Sequence, residues 1–234
     1  MILTAYQIYF DGHSKKNLLP GFTPYDNSGK LTEFFENEPI SVIADRRHDS
    51  DYLGVFSHDI NVGFPFYEEI YGERLKFGFE GLEKAIAFHY HHENPDVFGF
   101  CKRRSNPNIV RQAENYHPGI YSMIEKIVQD TGFCDKIPDT VPPILFNYWI
   151  AKTAIYSEYV TQLLRPAMAI MKDMAVLWQD SRYQSISKRH NKPEDRRKFS
   201  DAWGTPWIPY HPFVCERLPS IFFAVKRYKI KHIF

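Results

Sequence analysis

Two hundred and thirty-four residues suit one large domain with a substantial core, and 44% hydrophobic with 24% charged residues excludes a disordered polar chain, a collagen-like repeat and a multi-span membrane protein. The net charge of +1 conceals two unlike halves: residues 1–100 hold 8 Lys and Arg against 16 Asp and Glu, and residues 101–234 hold 21 against 12. A nucleic-acid surface would make the chain basic throughout, so the basic half points to a local anionic partner or to halves that attract each other.

The opening MILTAYQIYFDGH lacks a basic leader and reads as a first strand over residues 3–10, closed by Asp11-Gly12, which gives the expectation of a cytoplasmic protein. A turn-rich loop with Pro20-Gly21, Pro24 and Asp26-Asn27-Ser28-Gly29 is expected to hang off that strand. Residues 51–57 (DYLGVFS) and 96–101 (DVFGFC) are apolar on both faces, as strands inside a covered sheet are. Between them Phe79, Leu82, Ala85, Ile86 and His89 recur at helical spacing. Pro118, the stripe Ile120, Met123, Ile124, Ile127 and Val128, and the stop at Gly132 predict a helix over residues 118–131. Residues 145–150 (LFNYWI) read as a fourth strand. Thr153 is expected to cap a helix through Tyr159 and Leu163 that Pro166 must kink or interrupt.

Residues 182–198 are basic and almost without apolar side chains, and read as an exposed, mobile loop within a single domain spanning residues 1–234. The end of the chain is expected to be a helical segment disturbed by Pro219. Cys101, Cys134 and Cys215 stand far apart, without zinc-finger spacing or a disulfide pattern. The alternation predicts an α/β protein with a mainly parallel central sheet and helices on both faces. Ligands of such sheets bind beyond the carboxyl ends of the strands.

The polar residues following each expected strand are therefore the site candidates. After the first come Asp11, His13, Lys15 and Lys16; after the second, Ser57, His58, Asp59 and Asn61; after the third, Lys102, Arg103 and Arg104; and within the fourth, Asn147. Three consecutive cations at a strand end suit a phosphate-bearing ligand, or equally a solvated basic turn. The run His89-Tyr90-His91-His92-Glu93 has the composition of a metal cluster, but it ends a helix, where imidazoles suit the dipole, and is read as structural. Asp49-Ser50-Asp51, the only Asp-x-Asp, precedes a strand and so lies at the wrong edge for a ligand.

The segments AYQIYFDGHSKKNLLPGFTPYDNSG, DYLGVFSHDINVGFPF, PDVFGFCKRR, QAENYHPG, LFNYWIAKTAIYSEYV and HPFVCERL together resemble a group of bacterial glycosyltransferase-like proteins. These are similar to capsular-polysaccharide glycosyltransferases of the nucleotide-diphospho-sugar transferase (GT-A type) fold. The resemblance implies a nucleotide-sugar donor and a saccharide acceptor, with transfer in cell-surface polysaccharide biosynthesis. It implies that Gln7, Tyr9, Tyr25 and Asp26 lie near the base or ribose. It also implies that His117, Asn147, Glu216 and Arg217 approach the sugar or acceptor, where Ser57 and His58, chosen as strand-end residues, are placed with them. Each of these residues has a structural alternative: a strand residue for Gln7, a helix cap for His117, a strand-end clasp for Asn147, an ion pair for Glu216 with Arg217.

Many transferases of this fold hold a divalent metal on an Asp-x-Asp at a strand's carboxyl end, a motif this chain lacks there. No metal ligands are assigned and the cofactor stays open. Lys102, Arg103, Arg104 and the 182–198 loop are candidates to replace a metal on the leaving diphosphate. For the base that activates the acceptor hydroxyl the candidates are Glu216 and Asp96. The alternative reading is a non-catalytic binding or scaffold protein built on the same fold.

Overall fold

The computed structural model describes residues 1–60, 67–100, 108–144, 147–179, 184–185 and 193–234. The chain opens with β1 (Leu3–Tyr9) and the single turn α1 (Gly12–Lys15), followed by β2 (Thr23–Asp26), α2 (Asn37–Ile43) and β3 (Tyr52–Ser57). A hairpin of β4 (Tyr67–Ile70) and β5 (Glu73–Lys76) leads into α3 (Phe79–Glu93) and β6 (Val97–Gly99). Helices α4 (Ile109–Ala113) and α5 (Ile120–Asp130) precede β7 (Trp149–Lys152). Next, α6 (Thr153–Tyr159) runs through a π-helical turn at Val160–Leu164 into α7 (Arg165–Lys172). The remainder is α8 (Ala175–Gln179), β8 (Gln184–Ser185), α9 (Pro193–Trp203), β9 (Ile208–Pro209), α10 (His211–Cys215), α11 (Leu218–Lys226) and β10 (Ile230–His232).

Six strands form the central sheet in the order β10-β6-β7-β3-β1-β2. Every pairing is parallel except those of β7, which runs against both β3 and β6. The sheet is mainly parallel, as expected, and β7 delivers its amino end to the edge where the other strands deliver their carboxyl ends. Side chains alternate between two cores, because successive residues of a strand point to opposite faces. Tyr6, Ile8, Leu53, Val55, Val97, Trp149 and Ala151 face a core closed by α2, α4, α5, α6, α7, α10 and α11. Leu3, Ala5, Tyr52, Phe56, Phe98 and Ile150 face the other, closed by α3 and the β4–β5 hairpin. At Gly54 the second face is so tight that a Cβ would stand 2.5 Å from Ile150 Cγ1.

Several local expectations are corrected. The loop after β1 contains β2, an edge strand that pairs through Tyr6 to Tyr9 on one side only, where Pro24 is tolerated because no second neighbour needs its missing N–H. The fourth strand begins at Trp149, later than its apolar run suggested, because Asn147 adopts a left-handed φ of 58°. Thr153 does not cap α6; its hydroxyl donates to Ser50 O at 2.6 Å, tying the helix start to the entry of β3. At Pro166 the expectation holds, since a π-helical turn immediately before it interrupts the α-helix and releases the register. Pro219 stands in the first turn of α11, where its lack of an N–H costs nothing, so it starts a helix instead of disturbing one. Of the basic segment 182–198, residues 193–198 form the start of α9, while 182–183 and 186–192 lie outside the described residues.

Candidate active site

The carboxyl edge of β1, β2 and β3 and the amino end of β7 bring polar side chains together. At the β1–β2 corner the Tyr9 hydroxyl donates to Asp26, its register partner, and Lys15 stands 5.3 Å from the Tyr9 ring centre. Ser28 donates its backbone N–H to Asp26 Oδ1 at 2.8 Å. The Ser28 bonds and the Tyr9 hydroxyl hold the Asp26 carboxyl down at about 2, so it is ionised at any working pH. Asp11 N-caps α1 by accepting from Ser14 N at 2.7 Å. Tyr25 takes no part in this corner, because it points into the first core, with Arg46 5.0 Å from its ring centre.

Gln7 is fully buried and its amide is spent on the scaffold. Its Oε1 accepts from Leu19 N at 2.7 Å, and its Nε2 donates to His58 O at 3.3 Å and faces Ser57 O and Asn17 O at 3.5 Å. Gln7 thus clamps the chain after α1 to the end of β3. His58, edge-on to Phe10 with ring centres 5.7 Å apart, leaves its buried Nδ1 unpartnered.

At the end of β3 the Ser57 hydroxyl donates to Asp59 Oδ1 at 2.7 Å, and Tyr148, just before β7, reaches the same oxygen at 3.4 Å. Burial and the neighbouring carboxylates Asp59 and Glu36 push the Tyr148 phenol up. Glu36, at the start of α2, enters the cluster from the other side. Its carboxyl meets the Ser57 hydroxyl and faces the charges of Glu216 and Asp59. Burial first, then those like charges, push Glu36 up to about 7.

Glu216 and Arg217 join from the α10–α11 junction. Their ion pair is 2.6 Å long, with side chains 17% and 8% exposed, and Arg217 Nη1 also donates to Phe213 O at 3.3 Å. Burial raises Glu216 in spite of its arginine. His117 stacks on Phe213 at 4.2 Å, and burial with the Arg217 charge pushes its imidazole down to about 4, so it stands neutral. Asn147 donates to Asn37 Oδ1 at 3.2 Å, beside Glu36, and leaves its own Oδ1 unpartnered. Of the expected residues, Ser57, Glu216, Arg217 and His117 are thus linked through Glu36 and the Arg217 charge, and Asn147 joins through Asn37, while the His58 ring packs on Phe10.

Asp96 lies elsewhere. It stands at the amino end of β6, accepting from Lys152 Nζ at 2.8 Å and from Lys229 N at 2.9 Å, and so it ties β6, β7 and β10 together at the opposite edge. Asp51, of the lone Asp-x-Asp, likewise serves that edge by accepting from Ile2 N at 2.6 Å. His89 is bound between Glu93 at 3.1 Å and Glu68 at 3.5 Å, in keeping with a structural role. Among the described residues no three His, Cys, Asp or Glu side chains converge to hold a metal ion. Lys102, Arg103 and Arg104 lie outside the described residues. Sequence reasoning missed Glu36, which follows no strand and belongs to no motif. Asp59 is among the candidates after the second expected strand, whereas Tyr148 carried only the weak signal of lying next to Asn147.

The solved apo structure of WbbM, described as a bifunctional glycosyltransferase, matches all of this chain with a TM-score of 0.52 at 13% identity. The chain spans 45% of the length of that protein. No protein-family model and no curated protein matches. The architecture is accordingly a glycosyltransferase-like α/β fold, and among the described residues no helix is long and apolar enough to cross a membrane.

Proposed function

We propose that this chain is a glycosyltransferase that moves a sugar from a nucleoside-diphosphate donor to a saccharide acceptor, in the cytoplasmic stage of cell-surface polysaccharide synthesis. The observation that carries the reading is the polar, partly buried cluster at the carboxyl edge of a mainly parallel sheet, on a glycosyltransferase-like fold. On this reading Tyr9 and Asp26 take the base or ribose, while Ser57, His58, His117, Asn147 and Arg217 surround the transferred sugar and the acceptor. Lys102, Arg103 and Arg104, which follow β6 in sequence, neutralise the diphosphate as the glycosidic C–O bond breaks and negative charge gathers on the leaving oxygen.

A thermal-shift panel of nucleoside diphosphates and their sugars tests the reading. A ligand at about 100 times its dissociation constant stabilises by about 2.7 kcal/mol. The shift given by the best ligand is expected to vanish in the double variant Arg103→Ala, Arg104→Ala, with the ligand-free melting temperature unchanged. No shift by any nucleotide in the parent refutes nucleotide-sugar chemistry. A shift without any release of nucleoside diphosphate, across donors and saccharide acceptors, leaves the non-catalytic binding protein as the answer.

A further inference from the structure

We infer that Glu36 is the catalytic carboxylate that takes the proton from the attacking acceptor hydroxyl, an assignment that rests on the transferase reading and deepens it. The charges of two other carboxyls, Glu216 and Asp59, act on Glu36, and both are engaged elsewhere. Glu216 is held by Arg217 at 2.6 Å. Asp59 receives the Ser57 hydroxyl at 2.7 Å and is approached by Tyr148 at 3.4 Å. A serine hydroxyl has a single proton to give, so Glu36 shares that donor with Asp59 and accepts besides from its own backbone N–H. Glu36 is the carboxyl best placed to collect a proton from elsewhere.

The same region shows that a polar ligand is wanted. Arg217, 7% exposed, lies against Glu216 with its Nε–H unpartnered, and Asn147, 4% exposed, is bonded to Asn37 with its Oδ1 unpartnered. Buried polar atoms without partners are costly unless a bound molecule satisfies them, and a hydroxyl-rich sugar offers both donors and acceptors. Next to Glu36 the backbone also departs from the ordinary: Phe35 has a φ of 48° and meets Trp203 edge-on at 5.8 Å.

The step balances as a direct displacement. The acceptor O–H bond breaks and its proton passes to a Glu36 oxygen, while the acceptor oxygen bonds to the anomeric carbon. The bond from that carbon to the diphosphate breaks, and its electron pair leaves on phosphate oxygen. A base works best when its affinity for protons matches the working pH. Burial, Glu216 and Asp59 bring Glu36 to about 7, with Ser57 and Tyr148 the other groups facing it. Ser57 and Asp59 are positioning residues.

The test has two arms on the full chain. The first needs no substrate: the carboxyl carbons of protein labelled with 13C at glutamate Cδ are followed by NMR across the neutral range. One resonance is expected to titrate near neutrality. Glu36→Gln should remove it, and Asp59→Asn, which deletes a like charge, should lower its midpoint. No such resonance in the parent, or its survival in Glu36→Gln, overturns the assignment whatever the activity. The second arm follows nucleoside diphosphate released from uridine, guanosine and thymidine diphosphate hexoses, with water as acceptor, against pH. Glu36→Gln should cut kcat by about a hundredfold and abolish the acidic limb while nucleotide affinity holds. A retained limb and rate overturn the assignment. A parent that titrates as expected yet consumes no donor, with water or any saccharide, refutes the transferase reading instead and takes the acceptor step with it.

Discussion

Glu36→Gln should make the protein more stable in neutral and mildly alkaline solution, although it removes a carboxyl that the fold has brought near two others. The Glu36 affinity for protons rises from the ordinary 4.5 to about 7 on folding. Between those two values the unfolded chain has lost the proton while the native chain keeps it. Stability is therefore complete below about 4.5, falls as pH rises through the interval, and is lowest once Glu36 ionises in the native state. At about 1.4 kcal/mol for each tenfold change in proton affinity, the native state gives up as much as about 3 kcal/mol. Gln keeps the shape and carries no charge, so the variant escapes that loss. For a chain of this size the gain corresponds to a melting temperature higher by up to about 10 °C at about pH 8, shrinking to nothing near pH 4. Differential scanning calorimetry at the two pH values measures it. A variant no more stable than the parent at pH 8, or one shifted equally at both, refutes the claim that an ionised Glu36 is held against its preference. Such a penalty is what a site retained for chemistry rather than for folding shows.

Asp96→Asn should cost about 1–2 kcal/mol in urea unfolding at neutral pH, because it weakens the half-exposed bond to Lys152 and the clasp on Lys229 N. Lys152 and Lys229 hold this carboxyl below its usual range in spite of the burial that raises it, so its contribution is present at neutral pH and is lost as acid protonates it. Any nucleotide-induced shift should be unaffected, and an intact fold with lost turnover would return Asp96 to the catalytic candidates. Gln7→Leu should cost about 2 kcal/mol by leaving Leu19 N–H and His58 O without their partner. Amide exchange at Leu19 should quicken in that variant, and an unchanged rate would show that the clamp carries no load.

How much of this was legible depends on how each element is stabilised. β1 and β3 lie inside the sheet and are apolar on both faces, and α5 repeats its stripe at helical spacing, so pattern alone located them. The edge strands had no such signature. Three of the four residues of β2 are exposed, and all three of β10 are only partly buried, because each pairs on one side and hides one face at most. The start of β7 was displaced because an apolar run does not reveal a left-handed residue such as Asn147, which is set by the contact with Asn37 from another segment.

The site was legible in its parts and not in its centre, and the reason is topological. Rules about strand ends found Ser57 and His58, since in a parallel sheet the residue after a strand faces the ligand edge whatever its partners are. Such a rule misplaces a residue when a strand runs the other way. Asn147 and Tyr148 reach the ligand edge because they precede an antiparallel strand, with Tyr148 O accepting from Phe100 N at 3.3 Å. Glu36 obeys no strand rule at all. It becomes consequential only when α2, the end of β3 and the α10–α11 junction come together, where Glu216 and Asp59 oppose its charge. A carboxyl whose character comes from long-range neighbours leaves no local trace in sequence, whereas the Glu216–Arg217 pair, adjacent in the chain, does. That is why adjacent charge drew attention to the acid already neutralised by its neighbour, and the fold was needed to find the one that is not.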